Sequence, residues 1–145
     1  MGNLLVALQF GLFGVLAVLA APNAVGGAIP SGAFVLVAAS VALAAWTLVH
    51  NRPGNFNIRP APKPQGVLVA SGPYRWIRHP MYTSVVLGAG ALAWISGTLI
   101  GYAAGSALTI VLFVKSTVEE RWLLEKHPEY ATYAARSKRF LPWLI

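Results

Sequence analysis

The chain has no cysteine, and over long stretches it has no charge. The first lack excludes disulfides, thiolate metal sites and cysteine nucleophiles. The second decides the class. No Asp, Glu, Lys or Arg occurs before Arg52, and none occurs between Arg78 and Lys115. Of the 145 residues 57% are hydrophobic and only 10% are charged, against about 25% charged in an ordinary soluble domain. A water-soluble domain could not leave both runs uncharged and still cover its surface. The sequence therefore reads as an all-α integral membrane protein, one domain over residues 1–145.

What charge there is sits in two places. The net charge is +7, and all eleven Lys and Arg fall between 52 and 78 or between 115 and 139. Lys and Arg favour the cytoplasmic side of a membrane, so both windows are expected there. Basic charge also suits nucleic acid, but with no separate soluble basic module none is expected as a partner.

The apolar runs set the architecture. Leu4 to Ala21 is apolar apart from Gln9. Residues 16–24 look somewhat like a signal-peptide cleavage region, but the basic n-region is missing, so the run is read as a span. Pro22 to Gly32 is an uncharged turn, and Ala33 to His50 is the second run, whose small residues permit close helix contact and a homodimer. Residues 1–50 thus supply two spans. Residues 51–80 form a cytoplasmic loop, whose four prolines between 53 and 64 forbid a regular helix. The thirty-four uncharged residues 81–114 would make one helix of about 51 Å, too long for a core of roughly 30 Å. They read as a hairpin turning near Ile95-Ser-Gly-Thr98. Its second arm continues past Lys115 until His127-Pro128 breaks it, and a short helix from about Glu129 to Lys138 follows. Residues 115–145 are a cytoplasmic segment ending in the apolar tail Phe140-Leu-Pro-Trp-Leu-Ile145. The expectation is four transmembrane helices with both termini cytoplasmic, so that the 51–80 loop and the C-terminal segment can meet.

The chemistry gathers at that meeting point. Gly72 to Tyr82 holds Tyr74, Arg75, Arg78, His79 and Tyr82. Pro80 suits the first turn of a helix, which puts His79 at its N-cap, able to donate to a ligand. Arg75 and Arg78 either anchor the membrane surface or grip an anionic substrate. Gly88-Ala-Gly90 is either a small-residue helix contact or an opening for a flat ligand. It lacks the strand, third glycine and acid of a dinucleotide fingerprint. Glu119-Glu120 is either a solvated helix face or, so close to lipid, a site for a cation or a ribose diol. Tyr130 and Tyr133 share one helix face, as packing or as part of a site.

Taken together, Gly72-Pro-Tyr74, Arg78-His-Pro-Met-Tyr82, the apolar hairpin, Glu119-Glu120-x2-Leu123, Glu129-Tyr-x2-Tyr133 and Leu141-Pro142 resemble the membrane methyltransferases related to isoprenylcysteine carboxyl methyltransferase and the phospholipid N-methyltransferases. The likeness covers about 66–142. It departs at Thr83-Ser84, where such proteins often have Gly, and at His127-Pro128, where they often have Phe-Gly. The resemblance implies S-adenosylmethionine bound at the cytosolic membrane face under the C-terminal segment. It implies cofactor contacts from His79, Pro80, Tyr82, Gly88, Gly90, Glu119, Glu120, Tyr130 and Tyr133, and no metal. Arg75 or Arg78 would hold an acceptor carboxylate or phosphate, and His79 would take a proton where the acceptor carries one. The expected partners are membrane lipid and a lipophilic acceptor, and the expected location is a bacterial or archaeal cytoplasmic membrane. The acceptor itself is not legible. Two other readings are a sterol-reductase-like NADPH enzyme, which would have more spans, and a small four-helix transporter, which would need an acid within its first two spans.

Overall fold

The computed structural model describes residues 2–51 and 66–142. The proline-rich loop with Arg52, Arg59 and Lys63, and the end of the apolar tail at Trp143 to Ile145, lie outside the described residues. Five α-helices follow in order: α1 (Gly2–Val25), α2 (Ser31–His50), α3 (Pro80–Ser96), α4 (Leu99–Lys126) and α5 (Tyr130–Arg136), with a single 3₁₀ turn at Gly72–Arg75. Helices α1, α2 and α4 are long and apolar enough to cross a membrane, and α3 is a shorter apolar helix.

α3 is the inner element. It packs on α1, α2 and α4, and α1 also packs on α4, whereas the consecutive α1 and α2 lie on either side of α3 with little mutual contact. Its seventeen residues span about 25 Å, short of a full hydrocarbon core. Small side chains make the inner position workable: Ala89, Ala91 and Ala93 are buried, and Ala89 and Ala93 close on Leu16 of α1 and Ala104, Leu108 and Leu112 of α4. Large apolar side chains point outward instead, among them Phe34, Val41 and Leu48 of α2 and Ile110 of α4, as lipid-facing helices require.

The expected hairpin turn is where the sequence placed it. Gly97 ends α3 in the left-handed region at φ +60°, and Thr98 caps α4 by accepting from the Gly101 amide at 3.0 Å. α4 stops at Lys126, ahead of His127-Pro128. Two boundaries differ from expectation. α1 does not end at Pro22 but runs through it to Val25. The proline sits in the last turn, where only one bond is lost, and Asn23 secures that turn by donating to the Ile95 carbonyl at 2.7 Å. α5 ends at Arg136 rather than near Lys138. Ser137 is extended, its hydroxyl bonds back to the Tyr133 carbonyl at 2.7 Å, and Lys138 pairs with Ile77 in a parallel bridge.

Candidate functional site

Local chain geometry brings three segments together at the N-terminal end of α3. Gly72 has φ +57°, and the His50 ring fills the space a Cβ would take, so glycine is required twice over. From this turn the chain runs through Trp76 to His79 alongside residues 138–139. The Arg78 amide donates to the Lys138 carbonyl at 2.7 Å, that of His79 to the Arg139 carbonyl at 3.1 Å, and that of Lys138 to the Trp76 carbonyl at 2.8 Å. The Thr83 hydroxyl donates to the Phe140 carbonyl at 2.9 Å. The Tyr133 hydroxyl donates to the Tyr74 carbonyl at 2.7 Å. The C-terminal segment 137–140 is thus a strap stitched across the start of α3 and tied through Arg139 to Glu120 of α4.

The two glutamates are held differently. Glu120 is saturated. Arg78 Nε donates to its Oε1 at 2.8 Å, and Arg139 donates through Nη2 to Oε2 at 2.7 Å and through Nε to Oε1 at 3.2 Å. His79 Nε2 lies 3.1 Å from Oε1. The remaining Arg78 donations go to the Ala134 carbonyl at 3.0 Å and to the Ser137 carbonyl. Side chains this enclosed are stable as ions only when paired, as these are. Glu119 takes the Tyr82 hydroxyl at 2.6 Å on Oε2, with His79 Nδ1 at 3.7 Å from the same oxygen. Among the described residues nothing bonds to its Oε1. Glu119 is also the more open of the two, with a side-chain exposure of 29% against 12% for Glu120.

Aromatic rings pack beside these carboxylates. His79 and Tyr82 stack with centroids 5.2 Å apart and planes 6° from parallel, and Phe140 closes on His79 and Phe113. Tyr130 and Tyr133 meet edge to face and are both buried. Burial pushes the Tyr133 phenol up to about 12, and burial with the Glu120 charge also raises Tyr130. Both are neutral donors at physiological pH. The Tyr130 hydroxyl is buried and has no hydrogen-bond partner among the described residues, a cost that a ligand acceptor would remove.

Of the residues singled out from the sequence, His79, Tyr82, Arg78, Glu119 and Glu120 come together directly, Pro80 starts α3 beside them, and Tyr130 and Tyr133 lie under the strap. Arg75 is exposed, with its guanidinium 5.9 Å from the Trp76 ring. Gly88 and Gly90 face elsewhere: a Cβ on Gly88 would meet Ser40 Oγ at 3.1 Å and one on Gly90 would meet Leu36 of α2 at 3.8 Å. Gly88 lies where Ser40 of α2 and Phe13 of α1 meet α3, and Gly90 lies against α2. Arg139, Phe140 and Thr83 belong to the cluster but were not among the expected site residues: in the sequence Thr83 reads as a departure from the family pattern and Phe140 as the start of an apolar tail. Arg139 reads there as one more cytoplasmic cation, and only the adjoining Leu141-Pro142 block hints that its segment is placed. Among the described residues no group of three or more His, Asp or Glu could hold a metal ion.

The family model of the isoprenylcysteine carboxyl methyltransferases matches residues 32–125, from the start of α2 to the end of α4. The cobalt-zinc-cadmium resistance protein CzcN of Cupriavidus metallidurans is 38% identical over 79 residues, which is 53% of this chain and 36% of that protein. The chain therefore spans about a third of the length of that curated relative. No solved structure matches significantly.

Proposed function

Because the chain belongs to the isoprenylcysteine carboxyl methyltransferase family, and its helices make it an integral membrane protein, we propose that it is an S-adenosylmethionine-dependent methyltransferase acting on a lipophilic acceptor at the membrane surface. The observation that carries this reading is the unequal pair of glutamates. Glu120 is consumed in tying α3 and the C-terminal strap to α4, while Glu119 keeps its Oε1 without a hydrogen-bond partner among the described residues on a partly exposed side chain.

The donor set fits the cofactor. Carboxylate and aromatic faces favour a cation, Glu119 Oε1 can accept from a ribose diol, and the buried Tyr130 hydroxyl has a proton to give. Glu119, Tyr82, His79, Tyr130, Phe140 and Tyr133 would hold it. When bound, S-adenosylmethionine would supply a methyl group on a sulfonium, open to in-line displacement. The protein's own part is alignment and the exclusion of water. Phe140 covers the His79 ring, and the strap covers Glu120. Tyr82 fixes the Glu119 carboxylate through its hydroxyl. His79, standing between the two carboxylates, receives a proton where the acceptor carries one. Arg78 spends its Nε and Nη1 donations on Glu120 and on the Ala134 and Ser137 carbonyls, so it serves the strap, and the exposed Arg75 is the arginine left to meet an anionic acceptor group. α3 acts as a fourth span between α2 and α4, with both termini and the basic segments on the cytoplasmic side of a bacterial or archaeal cytoplasmic membrane.

The test is transfer of label from S-adenosylmethionine into a lipid extract of the source membranes by the purified protein, with identification of the product. Labelled product with wild type, and much less of it with Glu119→Gln at limiting S-adenosylmethionine, supports the reading. No label transferred to any lipid, soluble extract or added isoprenoid acid contradicts it.

A further inference from the structure

Gln9 is the one polar side chain in the middle of α1, and α1 lies outside the stretch that the family model matches. The structure places its Oε1 2.6 Å from Nζ of Lys115, the first charged residue of α4. Lys115 is 1% exposed and forms no ion pair with any carboxylate among the described residues. Its ammonium instead lies 5.1 Å from the centroid of the Tyr82 ring. Tyr82 in turn stacks on His79 and donates to Glu119 at 2.6 Å. Lys115 and Glu119 are four residues apart and share one face of α4, so Tyr82 is held by both: its ring by the lysine, its hydroxyl by the glutamate.

An enclosed cation held without a direct ion pair is costly next to lipid, even with the Glu119 charge one turn away, and such a residue is a candidate for a functional role. Nothing in the packing of α1 on α4 calls for this pair, since Leu12, Phe13 and Leu16 already make an apolar contact with Leu108 and Leu112. We propose that α1 is part of the active site, with Gln9 and Lys115 as positioning residues that fix Tyr82 and, through it, the Glu119 carboxylate for cofactor binding. The inference rests on the methyltransferase reading above. Gln9 Oε1 accepts one hydrogen bond from the ammonium and so aims the charge at the ring face. The Tyr82 hydroxyl then stays on Glu119 Oε2 and leaves Oε1 directed at the ligand.

The experiment is calorimetric titration of the full chain, purified in detergent, with S-adenosylhomocysteine. Gln9→Leu and Lys115→Met are each expected to weaken binding about tenfold, the size of one cation–π or charged hydrogen bond. Gln9→Glu keeps an oxygen on the ammonium and is expected to bind within about twofold of wild type. The decisive arm is the double-mutant cycle with Tyr82→Phe. If Lys115 acts through the Tyr82 hydroxyl, Lys115→Met costs little more once that hydroxyl is gone. Fully additive losses, or wild-type affinity in folded Gln9→Leu protein, overturn the proposal. So does a fall in thermal stability with affinity unchanged, which marks a structural pair only. Wild type that fails to bind S-adenosylhomocysteine overturns the cofactor reading itself, a different result from variants that bind as well as wild type. Should Lys115→Met not fold, Gln9→Leu and Gln9→Glu still decide the matter.

Discussion

The two ends of the α3–α4 hairpin are built on opposite plans. At the turn, the helix caps are made by near neighbours in sequence, with Asn23 of α1 adding a long-range tie to the Ile95 and Ser96 carbonyls. Ser96 Oγ donates to the Ala93 carbonyl at 2.8 Å, Gly97 closes α3 and Thr98 caps α4. At the other end the bonds join residues about forty or more apart: Arg78 and His79 to Glu120, and Tyr82 to Glu119. Local caps terminate helices and need nothing else. A charged network drawn from three segments is costly to assemble, and it leaves Glu119 and Tyr130 with bonding capacity unspent. The contrast separates the end that shapes the fold from the end that we propose handles a ligand.

Substitutions at the two ends should separate these roles. The largest effect is expected from Glu120→Ala, which strands Arg78 and Arg139 in an enclosed site. Unfolding in detergent should show a loss of about 3 kcal/mol or more, with S-adenosylhomocysteine binding lost as well. Glu119→Gln sharpens the contrast between the neighbours. It should change stability by less than about 1 kcal/mol yet weaken ligand binding by tenfold to a hundredfold, on the order of a charged hydrogen bond. At the turn the pattern reverses. Gly97→Ala forces a side chain into the left-handed region and should lower stability by about 1 kcal/mol, with no change in ligand affinity, since a Cβ there would meet nothing within 4 Å. The smallest effect is expected from Thr98→Ala, which removes one cap and should cost at most about 1 kcal/mol, read as a lowered Tm with binding intact.

Legibility from the sequence follows the same division. The turn at 95–98, the start of α3 at Pro80 and the stop at His127-Pro128 were readable because glycine, threonine and proline act on the backbone within a few residues. The site was readable where its residues sit in short blocks, as with Arg78 to Tyr82 and Glu119-Glu120. It was not readable where partnership depends on tertiary approach. Nothing local distinguishes Arg139 from Arg136, yet of these two Arg139 is the one that bonds to Glu120. Likewise, Gln9 and Lys115 are 106 positions apart and meet only because α1 packs on α4. The difference in roles between adjacent Glu119 and Glu120 was equally hidden, since it depends on which of them the strap covers. Pro22 misled because a proline usually ends a soluble helix, whereas in the last turn of α1 one missing donor is tolerated.

The central claim is that Glu119, not Glu120, carries the bonding capacity left for S-adenosylmethionine. Its most direct test is calorimetric titration of wild type and Glu119→Gln with S-adenosylhomocysteine, with thermal unfolding recorded on the same samples. The account predicts saturable one-site binding by wild type and binding weakened at least tenfold in a variant whose Tm is nearly unchanged. Equal affinity in the two proteins, or no binding by wild type, would contradict it.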